Sequence, residues 1–264
     1  MNIILILFLI TALSLTGCQQ LEANTGGENN GTTTQETVQN DTPPPIDQTS
    51  EIVENTESQK NNENLMNLPR LEGKATVVMK VNGQSITIEV DGNNAPITAG
   101  NFVDLVKKGV YNGVVFHRVV KDPSPFVVQG GDPQGKNPNF PVSALGTGSY
   151  VDPTTNTPRY IPLEIRPQYD DTKENAVAPP ISYSKTINDT PQLKHDYGVI
   201  AMARSQMPDS ASSQFYFTLA DLPFLDGDYA VFGRVIEGMD IVETIKQGDR
   251  IESAEVIAGA ENLK

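Results

Sequence analysis

The sequence predicts a mainly β domain, an antiparallel barrel or sandwich with two helices at its ends, carried behind a long polar tether. Short apolar runs of strand length recur from residue 74 onward, each bounded by Gly, Pro, Asp or Asn. Only two segments carry the three-and-four spacing of a packed helix, and seven or eight strands with two helices fit a barrel or a two-sheet architecture. Before residue 71 no such patterning exists, so the ordered part of the 264 residues is smaller than the whole.

In chain order, residues 3–10 are all large and apolar, and the run fades before Gly17 and Cys18. It is too short to span a bilayer comfortably and has the length of a signal-peptide core, although no Lys or Arg precedes it. The segment Leu15-Thr16-Gly17-Cys18 resembles the lipobox of bacterial lipoproteins. That resemblance implies a signal peptide over residues 1–18, lipidation of Cys18, and a membrane-anchored protein facing the extracytoplasmic side of the cell envelope. Several acyl chains there would hold stably where one alone binds marginally. Residues 19–70 are rich in Asn, Thr, Gln, Glu, Gly and Pro with an acidic excess, and are expected to be a disordered linker because they cannot bury enough apolar surface to offset chain entropy. Fifty flexible residues reach roughly 40 Å end to end, so the tether holds the domain near the membrane without fixing its orientation.

The folded domain is expected over residues 71–264. Thr76, Val78 and Lys80 alternate with Val77, Met79 and Val81; Asn82-Gly83 follows, and alternation resumes through Ile86, Ile88 and Val90. This is a hairpin closed by a two-residue turn that needs positive φ. Pro96 opens a helix whose Phe102, Leu105 and Val106 share one face, and Gly109 stops it. Further strands are expected at 114–120, 126–129, 198–203, 214–219 and 231–235. A second helix follows at 239–246, with a closing strand at 251–257. Residues 133–194 loosen into Pro-, Thr- and Asn-rich loops with 161–165 the one obvious strand, and loops that long are usually surface features and often functional ones.

Composition removes several function classes. With 33 acidic against 19 basic residues, a net charge of −14 and no basic run, the chain would repel a phosphate backbone, so nucleic acid is excluded as a partner. Cys18 is the single cysteine, which leaves no internal disulfide and no cysteine-based metal cluster, and two histidines make no histidine-rich site. Neither a nucleophile elbow nor a phosphate-cradling glycine loop is present. The paired acids Asp170 and Asp171 read as a solvated turn.

What remains is a set of distant segments that combine a strong cation with apolar and aromatic side chains: Phe116-His117-Arg118-Val119-Val120, Phe126-Val127-Val128-Gln129-Gly130-Gly131-Asp132, Met202-Ala203-Arg204, Ser213-Gln214-Phe215-Tyr216-Phe217, and 224–233, which opens Phe224-Leu225-Asp226-Gly227-Asp228-Tyr229. In this order and spacing they resemble the cyclophilin family of peptidyl-prolyl isomerases, from about Leu71 to Ile257. The resemblance implies a closed eight-stranded antiparallel β-barrel capped by two α-helices, with a groove on its outer face. Carried over by motif, Arg118 matches the catalytic arginine, and Phe126, Val127, Tyr216 and Leu225 match the lining of the proline pocket. Phe224 and Tyr229 match its rim, while Gln129, Ala203, Arg204 and Gln214 match positions along the substrate chain. Val127 stands where methionine is common, Phe224 where eukaryotic members carry tryptophan, and Tyr229 where they carry histidine. The turn at 121–125 is longer than the family's.

The implied reaction suits this set. Rotation about an X-Pro bond is slow because nitrogen shares its lone pair with the carbonyl, a barrier of ~18–20 kcal/mol and a relaxation of about 10–100 s. A guanidinium near the proline nitrogen hydrogen-bonds a lone pair that becomes available only as the bond twists, so it favours the transition state over both ground states. No cofactor, metal or nucleophile is required. The expected partners are proline-containing polypeptides, bound by a monomer. The alternative on the same fold is a binding or chaperone module that holds proline segments without turnover. His117 and His195 read as packing or hydrogen-bonding residues, and Phe215, Phe217 and Phe232 as core.

Overall fold

The computed structural model describes residues 65–264 apart from Asp171 and Glu174. The expected signal segment, Cys18 and the linker up to residue 64 lie outside the described residues. Twelve strands and two α-helices form among them: β1 Lys74–Val81, β2 Gln84–Asp91, α1 Pro96–Lys107, β3 Arg118–Val120, β4 Val127–Gly130, β5 Val151–Asp152, β6 Thr157–Pro158, β7 Glu164–Ile165, β8 Ser182–Tyr183, β9 Val199–Met202, β10 Phe215–Thr218, β11 Val231–Glu237, α2 Met239–Thr244 and β12 Ile251–Ala258. Eight of these strands make one sheet in the order β12-β1-β2-β11-β9-β10-β4-β3, and every pairing in it is antiparallel.

The hairpin forms as its pattern predicts. Alternation sends Ala75, Val77, Met79 and Val81 of β1 and Ile86, Ile88 and Val90 of β2 to the core, while Lys74 and Lys80 stay exposed. The turn residues Asn82 and Gly83 both take positive φ, 51° and 75°, as a two-residue turn matched to the strand twist requires. Helix α1 lays Ile97, Phe102, Leu105 and Val106 on the core side. Phe102 sits 5.1 Å from the rings of Tyr111 and Phe232 and 5.6 Å from that of Phe215, tilted or edge-on as ring quadrupoles prefer. Gly109 ends the helix with φ 65° and its N–H on the Val106 carbonyl. Helix α2 stops two residues before the expected end, because Ile245 leaves helical geometry and the Lys121 ammonium takes the Glu243 and Ile245 carbonyls at 2.5 and 2.6 Å.

Three expectations are corrected. The sheet is an open half-barrel rather than a closed barrel: its edge strands, β12 and β3, share no ladder. The run 114–120 changes partner midway, so β3 keeps three residues. Upstream, Val115 makes an isolated bridge to Arg250, flanked by hydrogen bonds from Phe116 N–H to Asp249 O and from Ile251 N–H to Val114 O at 2.8 Å each. The strand expected at 161–165 is broken by Pro162, which offers no N–H; Ile161 only bridges Ala211, and Glu164–Ile165 pairs with Ser182–Tyr183. Packing also begins before Leu71. Leu65 and Leu68 rest against the core, and Arg70 exchanges backbone hydrogen bonds with Lys264 at 3.0 and 2.8 Å.

The loop region 133–194 is not merely surface. It buries Tyr150, Ile161, Leu163 and Ile165, and it supplies the cap that α1 lacks in its own sequence. Ala95, at the N-cap, has no side chain able to accept the orphan amides. Glu164, 1% exposed, accepts instead from Ile97 N–H at 3.0 Å and from Thr98 N–H and Oγ1 at 2.7 Å each. Burial outweighs these hydrogen bonds and raises its carboxyl above the ordinary value of 4.5. Glu164→Ala is expected to lower stability by roughly 1–3 kcal/mol by stranding buried donors, read by urea unfolding. A group whose folded pKa is raised contributes most below its unfolded value and loses that contribution as pH rises. The stability advantage of wild type over Glu164→Gln should therefore shrink as pH climbs from 4.5 towards neutrality; an advantage that grows would contradict this protonation behaviour.

Candidate functional site

The period-two rule that buries one face of the sheet also builds the site on the other. In β10 all four residues are buried, but Phe215 and Phe217 belong to the main core while Tyr216 belongs to a second apolar cluster with Val127, Val199, Ala201, Leu222 and Val231. Directly paired residues of an antiparallel ladder share a face, so register fixes which side chains meet. Arg118 pairs with Gln129, Gln129 with Tyr216, and Tyr216 with Ala201, giving one transverse row across β3, β4, β10 and β9.

Arg118 stands at the open end of that row. Its guanidinium carbon lies 5.3 Å from the centre of the Phe126 ring, and its Nη1 donates to Gln129 Oε1 at 3.3 Å. Gln129 Nε2 donates to Gln214 Oε1 at 3.2 Å, and Gln214 Nε2 to the Gly148 carbonyl at 2.8 Å. The arginine is thus braced by a glutamine chain while its remaining donors stay available. The turn at 121–125 returns Phe126 to the row through Phe126 N–H on Val120 O at 3.0 Å and Leu219 N–H on Phe126 O at 2.8 Å.

The opposite wall comes from the turn after β10. A 3-10 turn, Pro223–Leu225, points Leu225 inward and leaves Phe224 at 67% exposure, stacked on Phe126 at 6.0 Å. Gly227 follows with φ 82°, where a Cβ would meet the Ile187 carbonyl at 2.2 Å, so only glycine lets the chain pass. Tyr229 meets Tyr216 edge-on at 6.2 Å and lies beneath Arg204, whose guanidinium carbon is 4.8 Å from its ring. Arg204 is held through Nε and Nη1 by the backbone carbonyls of Asp228, Ser205 and Gln206 at 2.8, 2.8 and 3.0 Å, which fixes it as part of the wall.

Arg118, Phe126, Val127, Gln129, Ala203, Arg204, Tyr216, Leu225 and Tyr229 together line one hollow of about 220 Å³. Of the residues expected at the site from sequence, Gln214 lies outside that lining, in an adjoining cavity, and Phe224 stands over the rim. Cys18 is outside the described residues. The adjoining cavity, about 600 Å³, was not expected; it shares Gln129, Ala203 and Arg204 with the hollow, and its other walls include 146–149, Tyr160, Met207, Asp209 and Gln214. Its walls come in part from the 133–194 loops and in part from the segment between β9 and β10, and no local signal places them together.

Behind the hollow, His195 Nε2 sits 2.9 Å from the Tyr216 hydroxyl and Nδ1 sits 2.8 Å from Asp226 Oδ1. Burial pushes the His195 pKa down despite Asp226, and pushes that of the Tyr216 hydroxyl up, so both are neutral near pH 7. His117, beside Arg118, is buried and likewise pushed down. The geometry therefore sets the exposed, planar Arg118 guanidinium beside an apolar, ring-sized hollow, and among the described residues that line it there is no histidine or carboxylate to take a proton from a ligand.

Comparison with known proteins identifies relatives of this chain. The chain is 40% identical over 216 residues to a Synechocystis protein named as a thylakoid lumen peptidyl-prolyl cis-trans isomerase, covering 76% of this chain and 52% of that protein. It is 36% identical over 224 residues to the chloroplastic peptidyl-prolyl cis-trans isomerase CYP38 of Arabidopsis thaliana, covering 76% and 46%. The chain thus spans about half the length of these two relatives. A crystal structure of a Cryptosporidium parvum cyclophilin type peptidyl-prolyl cis-trans isomerase superposes with a TM-score of 0.51 at 25% identity, covering 70% of this chain and 98% of that one. Residues 76–261 match the family described as cyclophilin type peptidyl-prolyl cis-trans isomerase/CLD, from β1 through the end of β12, and the chain belongs to that family.

Proposed function

We propose that the domain is a peptidyl-prolyl cis-trans isomerase that accelerates rotation of X-Pro bonds in exported or membrane-adjacent polypeptides. The observation that carries the reading is the Arg118 guanidinium at the mouth of a hollow walled by Phe126, Tyr216 and Leu225. The apolar walls grip the proline ring and exclude water, so the ring stays still while the carbonyl side turns. The guanidinium donates to the ring nitrogen as conjugation is lost, an interaction made only in the twisted state. Gln129 holds Arg118 in that pose, and Ala203, Arg204 and Gln214 lie along the path of the flanking chain. Proton transfer and covalent chemistry have no part in the reaction, and the unit of action is a monomer.

A second reading, a module that holds proline segments without turnover, draws on the exposed Phe224 and on the adjoining cavity, which is larger than a single ring needs. A protease-coupled assay on an Ala-Pro peptide separates the two. Turnover no faster than buffer, with peptide still bound, would leave only the holding role. Arg118→Ala is expected to cut kcat roughly 10²–10³-fold, the range for losing one aimed donor, with little change in thermal midpoint because the side chain is exposed.

The location follows from the apolar run and Leu15-Thr16-Gly17-Cys18: a lipid on Cys18, the polar linker as spacer, and the domain on the extracytoplasmic side. The thylakoid-lumen relative supports an extracytoplasmic setting. Metabolic labelling with a fatty acid should tag the wild-type protein and fail on Cys18→Ala; equal labelling of the two would remove the anchor from this residue.

A further inference from the structure

His195 stands outside the motifs set out above, and Asp226 sits inside the last of them with no role assigned to it; neither lines the hollow, yet two of the hollow's walls lead back to His195. We propose that His195 is a positioning residue for the proline hollow, held by Asp226 and fixing the Tyr216 ring through its hydroxyl; this rests on the isomerase reading.

Tyr216 is 5% exposed and cannot leave its hydroxyl unpaired without cost. Its neighbour in space, His195, is 2% exposed and has both ring nitrogens engaged. Asp226 carries only acceptors, so the histidine proton lies on Nδ1 and points at Oδ1, 2.8 Å away. Nε2 is then a pure acceptor, and the Tyr216 O–H donates to it at 2.9 Å. A phenylalanine would pack at position 216 but would have no directional bond, so its ring would be set by packing alone. The stacked geometry of the His195 and Tyr216 rings, 15° apart in plane, fits a fixed pair.

The same residue clamps the rim. The Leu222 N–H donates to the His195 carbonyl at 2.7 Å, and Asp226 Oδ1 also takes the His195 N–H at 2.8 Å. Both ends of the 222–226 segment are thereby pinned to one backbone position, and Phe224 and Leu225 lie between the pins. One wall from β10 and one from the turn are registered to each other through His195. Both walls hold the proline ring in ground and transition states alike, whereas Arg118 acts as the bond twists. Loosening the walls therefore falls on KM and loss of the guanidinium on kcat.

The test uses the full chain and an Ala-Pro peptide, with kcat and KM from the isomerisation assay and peptide Kd from an NMR titration. Tyr216→Phe, which removes one oxygen and keeps the ring, and His195→Leu should each raise KM and Kd roughly five- to tenfold with kcat changed less than about twofold. The double variant should be no worse than His195→Leu alone, because both changes break the same bond. Asp226→Asn, which keeps an acceptor for Nδ1, should raise KM less than Asp226→Ala. If Tyr216→Phe folds with KM and Kd unchanged, or loses kcat at constant KM, the positioning role is wrong whatever His195→Leu does. A wild type without turnover would defeat the isomerase reading alone, since Kd still reports on the wall.

Discussion

A strand buried on both faces is the constraint on which this molecule rests. In most antiparallel sheets one face meets the core and the other meets water, but β9 and β10 have no wet side. Their inward residues, Ile200, Met202, Phe215 and Phe217, join the main core, and their outward residues, Val199, Ala201 and Tyr216, form a second cluster under the rim turn. That second cluster is too thinly covered to fill the space above it, and the unfilled part is the hollow. A ring-sized hollow thus arises where outward apolar residues of a sheet are only partly roofed by loops.

Rigidity then comes from polar groups at the margin. Gln129 and Gln214 hold the arginine on one side, and His195 with Asp226 holds Tyr216 and the rim on the other. None of these polar groups supplies chemistry of its own. They fix the separation between a charge and an apolar cleft, and in the proposed isomerisation, which makes no new bond, that separation is the main thing a protein can contribute. Glu164 does similar work farther off, locking the loop region to the start of α1 through the amides of Ile97 and Thr98.

Much of this was legible in the sequence, for reasons that differ by residue. Alternation and Asn82-Gly83 define the β1–β2 hairpin, and alternation alone separates Tyr216 from Phe215 and Phe217. Arg118 is different: its setting in a strand suggests nothing beyond a surface cation, and only the set of motifs in register singled it out. What escaped depends on partners distant in the chain. Nothing in 114–120 reveals that Val115 turns towards Arg250 while Arg118 turns towards Gln129, so the pattern leaves barrel and sandwich open and does not correct the closed barrel that the resemblance implies. The cap of α1 comes from a residue in a loop without periodicity, and the Asp226 partner of His195 lies 31 residues away. Leu65 and Leu68 look like linker because two leucines in a polar stretch carry no period, although they pack.

The central claim is that a planar, aimed guanidinium eases the twisted amide, beyond the presence of a positive charge near a greasy cleft. Two-dimensional exchange NMR of an Ala-Pro peptide saturating Arg118→Lys reads that claim directly, because it reports interconversion on the bound peptide and separates it from affinity. The account predicts that the peptide binds the lysine variant about as well as wild type while its cis and trans signals exchange far more slowly than on wild type. Exchange on the lysine variant as fast as on wild type would contradict it, since a point charge without the forked donors would then suffice.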